Sequence, residues 1–178
     1  MTSTTSLDDL VALGQHRWMA ALIADLAAHH GARFVVLGNR LGVGRETLSR
    51  TLEATILVGW VMRNPGHGHP LRPEYILTEE GERLAGLAAR QVAVQQRLGI
   101  APGVLTRWGM PIIHSLDTGL SRFNDLSRAL NPASPRALSQ GLRALANHDL
   151  VARILIDTRP PASLYSLTDA GRVLARVS

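Results

Sequence analysis

Apolar and polar positions along the chain follow a pattern that recurs after about 90 residues. Many identical residues coincide when the sequence is shifted by 90 positions: Arg17-Trp18 with Arg107-Trp108, Leu48-Ser49 with Leu138-Ser139, Tyr75 with Tyr165, Thr78 with Thr168, and Gly81 with Gly171. A shift of 89 positions pairs Arg33-Phe34 with Arg122-Phe123, and the difference is compensated before Leu48. Identities spread over a whole module indicate that a fold unit has been duplicated.

Each copy is predicted to form the same series of elements. In the first copy, the pattern predicts helices over residues 18–28, 34–41 and 45–58, strands over 60–63 and 75–77, and a closing helix over 79–98. In the second copy, the corresponding elements are helices over 108–117, 123–130 and 135–147, strands over 151–156 and 164–167, and a helix from residue 169 to the end. Ser134 is a suitable N-cap and Pro135 a suitable first helical residue.

Helix, helix, turn, helix and hairpin is the order of a winged helix-turn-helix. The predicted fold is therefore mainly α with small β-hairpins (α+β), and it consists of two tandem winged helix-turn-helix domains that form a pseudo-dimer. Glycine and proline in residues 99–103 place the boundary, with an N-terminal domain over 1–98 and a C-terminal domain over 99–178. We expect the closing helix and the helix before each Trp to pack the two domains together.

The third helix of a helix-turn-helix enters the major groove, so its faces are the main candidates for function. In the second copy, the predicted buried face consists of Leu138, Leu142 and Leu145. The opposite face carries types that bind guanine and adenine, namely Arg136, Gln140, Arg143 and Asn147. Ser134 and Ser139 are candidate phosphate ligands. The alternative is an ordinary solvated surface.

The third helix of the first copy has different chemistry on the same face. Its predicted buried residues are Leu48, Leu52 and Ile56, with Thr55. The positions that match the second copy's DNA-facing residues hold Glu46, Arg50, Glu53 and Leu57. Candidate DNA ligands remain at Arg45, Thr47, Ser49 and Arg50. We expect the second copy to supply most of the DNA affinity, and the first to be weaker, differently specific or used for partner binding.

Composition adds charge to this picture. The chain has 178 residues and a formal net charge of +5, and all 19 of its basic residues are arginine. Residues 1–90 hold nine Arg and nine Asp or Glu, whereas residues 91–178 hold ten Arg and five Asp or Glu. A basic half favours an anionic partner such as double-stranded DNA. We expect a cytoplasmic protein, since no secretory signal or membrane-length apolar run is present.

Several other functions are disfavoured by the sequence. The absence of cysteine excludes disulfides, thiolate nucleophiles and thiol redox sensing. No phosphate-binding glycine loop, nucleophilic serine motif or metal motif is present, so we expect neither an enzyme nor a cofactor. His67 and His69 in a Gly- and Pro-rich loop are weak indications of metal, and no metal site is predicted. Arg159, at the tip of the second hairpin, is a candidate minor-groove ligand.

Four stretches of the second copy resemble the HxlR family of bacterial winged-helix regulators: RFNDL at 122–126, SPRALSQGLR at 134–143, DLV at 149–151, and the segment from Pro160-Pro161 to YSLTDAG at 165–171. The first copy is similar through Trp18, Arg33-Phe34, TLS at 47–49 and YILT at 75–78. The resemblance implies a transcription factor that binds operator DNA, typically as a repressor and with a possible small-molecule effector.

The chain departs from the family in two ways. Members usually carry one such domain and form homodimers, whereas this chain carries two copies, so it acts either as a monomeric pseudo-dimer or as a homodimer. Several members sense oxidants through an N-terminal cysteine, which is missing here. The alternative function is a protein-interaction or effector-sensing module that has lost operator binding in its N-terminal copy.

Overall fold

The computed structural model of the chain describes residues 6–65, 73–105, 107–156 and 162–177. Their contacts form two compact units: residues 16–93 make one unit, and residues 6–15 together with 94–177 make the other. The N-terminal segment is therefore part of the unit that contains the second copy. The division into domains at residues 98 and 99 stays a prediction.

The order of helices and strands predicted for both copies is confirmed. In chain order the described elements are α1 (Leu7–Leu13), α2 (Met19–His29), α3 (Phe34–Leu41), α4 (Arg45–Leu57), β1 (Val61–Arg63), β2 (Tyr75–Leu77), α5 (Glu79–Arg97), α6 (Gly109–Asp117), α7 (Phe123–Ala129), α8 (Pro135–Asn147), β3 (Val151–Ile156), β4 (Ala162–Leu167) and α9 (Asp169–Ala175). Within these residues, no helix combines the length and the apolar character that crossing a membrane requires.

Helix α1 begins at a capping box. The Ser6 hydroxyl accepts a hydrogen bond from the Asp9 amide at 3.1 Å, and the Asp9 carboxylate accepts one from the Ser6 amide at 3.3 Å. This reciprocal pair satisfies two amides that the first turn of a helix leaves without partners. The helix packs against α6 and buries Leu10 and Leu13. It therefore contributes to the core of the unit that holds the second copy.

The two β-hairpins have the same register. Val61 pairs with Leu77 in the first, and Val151 pairs with Leu167 in the second, both antiparallel. Each hairpin also bonds to the segment just before the helix-turn-helix. The Tyr75 amide donates to the Ala32 carbonyl at 2.9 Å, and the Tyr165 amide donates to the Ser121 carbonyl at 2.8 Å. Ala32 and Ser121 are 89 residues apart and the two tyrosines are 90 apart, so the single-residue offset in the repeat is a structural feature.

A threonine and a glycine close each copy in the same way. The Thr78 hydroxyl donates to the Gly59 carbonyl at 2.6 Å and accepts from the Gly81 amide at 3.2 Å. The Thr168 hydroxyl likewise donates to the Asp149 carbonyl and accepts from the Gly171 amide at 3.1 Å. These bonds fix the start of α5 and of α9 against the residues that directly follow α4 and α8.

Candidate nucleic-acid interface

Helix α8 is the recognition helix of the second copy, and its start is fixed by local contacts. The Ser134 hydroxyl accepts a hydrogen bond from the Ala137 amide at 3.2 Å, and Pro135 occupies the first turn. Leu138, Leu142 and Leu145 are buried, which confirms the predicted core face. Helix α8 is thereby held with one defined side toward the core of its domain and the other toward solvent.

The solvent side of α8 gathers five of the predicted DNA ligands. All of them are exposed: Ser134, Arg136, Ser139, Gln140 and Arg143. Asn147 is exposed one turn further on, on the same side. Neither Arg136 nor Arg143 forms an ion pair with a carboxylate of the described residues. Two guanidiniums, an amide and two hydroxyls are therefore available to an external ligand.

Helix α4, the recognition helix of the first copy, has the same length as α8 but a different buried face. Leu48, Leu52 and Thr55 are buried as predicted. The prediction was wrong for Ile56, which is 39% exposed. Thr51 and Thr55 occupy the core side instead, and the Thr55 hydroxyl donates to the carbonyls of Thr51 and Leu52 at 2.9 Å. Since these bonds satisfy the hydroxyl inside the helix, Thr55 can be buried while Ile56, 100° further round, faces outward.

On the exposed side of α4, one of the two arginines is neutralised by a glutamate. Arg50 and Glu46 form an ion pair with an N–O distance of 2.5 Å, one helical turn apart. Glu53 is exposed beside them. Arg45 lies with its guanidinium 5.9 Å from the centroid of the Phe34 ring. Of the other two candidates, Thr47 is exposed and Ser49 is half-buried.

The carboxyl end of α4 exposes apolar side chains that the sequence analysis did not single out. Leu57 is 88% exposed, and Ile56 and Val58 are also exposed. The position that matches Leu57 in the second copy is Asn147. Three consecutive apolar residues at a helix end are the signal that could have indicated this surface, because a helix cannot bury three successive side chains on one face.

Each hairpin carries an arginine whose side chain contacts the opposite strand. Arg153 on β3 donates from Nε and Nη2 to the Ser163 hydroxyl at 3.0 and 2.9 Å. Arg63 on β1 lies over the Tyr75 ring and donates to its hydroxyl at 3.3 Å. The predicted minor-groove ligand Arg159 lies outside the described residues, as do His67 and His69.

The environment of Tyr75 changes its titration. Burial raises the pKa of the Tyr75 phenol above its ordinary value of 10.0, the Glu74 carboxylate raises it further, and the Arg63 guanidinium opposes both. The phenol therefore stays neutral and remains a hydrogen-bond donor throughout the physiological range of pH.

We expect a Tyr165→Phe variant, which retains Tyr75 as the only tyrosine, to titrate with a midpoint above pH 10. Because the pKa is raised in the folded state, the contribution of Tyr75 to stability is full below pH 10 and is lost as the pH rises through the folded pKa. Ultraviolet absorbance against pH measures the titration, and urea unfolding on both sides of pH 10 measures the loss. A titration midpoint at or below pH 10 would contradict the expectation.

Comparison with known families decides what kind of protein this is. A family model described as HxlR-like helix-turn-helix matches the chain twice, over residues 13–95 and over residues 104–177. The chain belongs to the HxlR-like helix-turn-helix family. Since each match spans one copy, this HxlR-like chain contains two such domains in tandem, and both the predicted fold class and the predicted family are confirmed.

Several relatives share part of the HxlR-like chain. YtfH of Escherichia coli strain K12, an uncharacterized HTH-type transcriptional regulator, is 40% identical over 68 residues, which are 38% of this chain and 54% of YtfH. YvaP of Bacillus subtilis strain 168, with the same description, is 38% identical over 71 residues, which are 40% of this chain and 66% of YvaP. The HTH-type transcriptional regulator YodB of the same strain is 31% identical over 71 residues, which are 40% of this chain and 63% of YodB.

The HxlR-like chain thus spans between about half and two thirds of the length of these relatives. All three carry names of transcriptional regulators and none carries the name of an enzyme. Among solved structures, the chain is similar to a proposed transcriptional regulator of the MarR family from Enterococcus faecalis V583, with a TM-score of 0.41 and 28% identity over 48% of this chain and 76% of that chain.

Proposed function

We propose that the chain is a sequence-specific regulator of transcription that binds double-stranded DNA, and that the second copy is its main DNA-binding element. The observation that carries the proposal is the difference between the two recognition helices. Arg136 and Arg143 on α8 are exposed without a carboxylate partner among the described residues, whereas α4 pairs Arg50 with Glu46 and leaves Arg45 alone without one. The excess of five arginines over acidic residues in 91–178 supports the same assignment.

The types of side chain on α8 suit a major groove. An arginine such as Arg136 or Arg143 can donate two hydrogen bonds to guanine, and Gln140 can bind adenine through both ends of its amide. Ser134 accepts from the Ala137 amide, so its own hydroxyl proton is left to donate to a phosphate oxygen. The amino end of a helix also attracts phosphate, because its first amides point outward.

The two copies also suggest how one chain could cover an operator. In a homodimer of helix-turn-helix proteins, the two recognition helices occupy successive major grooves about one helical turn apart. Two recognition helices in one chain can bind DNA in the same way. The operator would then be an imperfect palindrome, because the exposed faces of α4 and α8 differ. Binding of this kind in the cytoplasm represses transcription when the site overlaps the place where polymerase binds.

Selection of duplex DNA followed by fluorescence anisotropy tests the proposal. The purified chain would select from a random library and from the region upstream of its own gene, and the selected duplex would be titrated against a scrambled competitor at several salt concentrations. We expect affinity for the selected duplex at least about 1,000-fold above that for the competitor. The logarithm of the binding constant should fall linearly with the logarithm of salt concentration.

Stoichiometry in the same titration separates the two arrangements. One chain per operator supports the pseudo-dimer, and two chains per operator support a homodimer. Equal competition by scrambled DNA, or no enrichment from either source, would contradict sequence-specific binding.

A second candidate function rests on the first copy alone. The exposed Ile56, Leu57 and Val58 at the end of α4, together with the paired Glu46 and Arg50, favour a copy that binds a protein partner or an effector instead of operator DNA. If no duplex is enriched by the whole chain, this second function becomes the better assignment.

A further inference from the structure

The first copy holds an open cavity beside the start of α4. It has a volume of about 570 Å³ and lies between α3, α4 and the hairpin of β1 and β2. Its lining combines two cations, one carboxylate and two aromatic rings with aliphatic and neutral polar side chains, and it includes Phe34, Val43, Arg45, Leu48, Arg63, Glu74 and Tyr75. Small-molecule sites in proteins typically have volumes of roughly 300 to 1,000 Å³ and a mostly apolar lining with a few polar groups.

The two arginines of the cavity are not equivalent. Arg63 lies 3.9 Å from the Glu74 carboxylate and stacks over Tyr75, so its charge is partly matched. Arg45 has no carboxylate partner among the described residues, and its guanidinium is 5.9 Å from the centroid of the Phe34 ring. Contact with a ring restricts the orientations of a guanidinium, which lowers the entropy that it loses when it binds an anion.

The charges in the cavity select for a single negative charge. Arg45, Arg63 and Glu74 sum to a formal charge of +1, so an anion with one charge balances the cavity. The Glu74 carboxylate, which also accepts a hydrogen bond from the Phe34 amide at 3.4 Å, would repel a second negative charge. A monoanion is therefore favoured over a dianion.

The second copy lacks these groups at the matching positions. Pro135 stands at the position of Arg45, and Leu164 stands at the position of Glu74. The unpaired cation and the carboxylate that selects against dianions are thus features of the first copy. The other arginine of α4, Arg50, is neutralised by Glu46.

We propose that this cavity binds a small aromatic monocarboxylate, whose carboxylate is held by Arg45 and whose ring lies among Phe34, Val43 and Leu48. A planar ring fits better than a saturated one, because it can stack on the ring of Phe34 and on the guanidinium planes. Binding of this ligand does not require DNA, so the proposal can fail while the assignment as a DNA-binding regulator stands, and the reverse also holds.

Isothermal titration calorimetry of the whole chain without DNA tests the class of ligand. The probe is naphthoate, and the matched compounds are naphthol, which lacks the charge, cyclohexanecarboxylate, which lacks the aromatic ring, and naphthalenedicarboxylate, which adds a charge. We expect naphthoate to bind one-to-one with a Kd on the order of 100 μM. Each matched compound should bind at least about 10-fold more weakly, since each loses one of the favourable contacts or gains a repulsion.

Two arginine variants test the location. Arg45→Ala should weaken naphthoate binding by about 10-fold or more, because it removes the charge-assisted hydrogen bonds to the carboxylate. Arg83→Ala is the control, since Arg83 is an exposed arginine of the same unit that pairs with Glu80 on α5 away from the cavity, and it should stay within about twofold of the unchanged chain. Both side chains are exposed, and the thermal unfolding midpoint of each variant establishes that it is folded.

The results that would overturn the proposal are specific. No saturable heat with naphthoate at millimolar concentration would rule out the ligand class. Saturable binding that Arg45→Ala leaves unchanged would rule out the cavity as its location. Tighter binding of the dicarboxylate than of naphthoate would rule out the selection by Glu74.

Discussion

Reversal of the charges of Arg136 and Arg143 to glutamate is expected to lower the affinity for the selected operator by about 1,000-fold. Each arginine that makes a bidentate contact with guanine contributes roughly 1–3 kcal/mol of discrimination, and a glutamate at the same place also repels phosphate. Both side chains are exposed and unpaired within the described part of the chain, so their replacement should leave the fold of α8 intact. Fluorescence anisotropy measures the affinity, and circular dichroism establishes that the variant is folded.

The matched control is the opposite reversal in the first copy. Glu46→Arg and Glu53→Arg together change the charge of α4 by the same amount at positions equivalent to those on α8. If the second copy supplies most of the affinity, this variant should bind the operator within about 10-fold of the unchanged chain. Any change in affinity would come from non-specific contacts of the new arginines with phosphates. Arg50→Ala should also have a small effect, because Arg50 is already neutralised by Glu46. A loss of affinity from Arg50→Ala alone that equals the loss from the double reversal on α8 would refute the asymmetry between the copies.

Single substitutions then separate base contacts from phosphate contacts. Loss of a base contact by Arg136→Ala should weaken binding to the operator more than binding to scrambled DNA. If the arginine contacts a phosphate instead, its replacement by alanine should weaken binding to both duplexes about equally. It should also reduce by about one the slope of the logarithm of the binding constant against the logarithm of salt concentration. The comparison assigns each arginine to one of these two contacts.

The recognition helices could be predicted closely because their signals are local. Ser134 and Pro135 determine where α8 begins, and leucines spaced by three and four residues determine which side of it is buried. The 13-residue lengths of α4 and α8 agree because the repeat has no offset in this segment. Cap and spacing together define a helix and its orientation without knowledge of the rest of the fold.

The surroundings of Ile56 and Arg45 could not be predicted in the same way. Ile56 is more apolar than Thr55, yet Thr55 is buried because its hydroxyl bonds to carbonyls of its own helix. Arg45 lies beside Phe34 of the preceding helix and lines the cavity, an arrangement that depends on how α3, α4 and the hairpin pack. Its role as a DNA ligand stays a prediction. The Glu46–Arg50 pair, by contrast, follows a spacing of four residues that the sequence already contains.

Opposite effects on stability are expected from the same substitution at two glycines of α5. A Cβ at Gly81 would lie 2.1 Å from the Trp60 carbonyl oxygen, a distance that no contact between these atoms can accommodate. That carbonyl accepts a hydrogen bond from the Thr78 amide at 3.0 Å, and the Thr78 hydroxyl accepts one from the Gly81 amide, so a shift of the helix breaks several bonds together. Gly81→Ala should therefore cost about 3 kcal/mol or more of the free energy of unfolding.

Gly86 lies in the middle of the same helix and is exposed. A Cβ there would meet only the end of the flexible Arg90 side chain at 3.4 Å. Gly86→Ala should stabilise the unit by about 0.5–1 kcal/mol, because alanine loses less backbone entropy than glycine when a helix forms. The pair of variants thus separates the steric requirement at the start of α5 from the general preference of a helix for alanine.

Fluorescence can follow this unit alone if Trp108 is replaced by phenylalanine, because Trp18 and Trp60 both lie in residues 16–93. Urea unfolding of the two glycine variants in that background gives their free energies of unfolding. A Gly81→Ala variant within about 0.5 kcal/mol of its parent would contradict the steric argument, since differences of that size are ordinary for surface substitutions. Gly171 provides an independent repetition, because a Cβ there would lie 2.1 Å from the Leu150 carbonyl oxygen, and the duplicated contact should make Gly171→Ala destabilise the other unit to a similar degree.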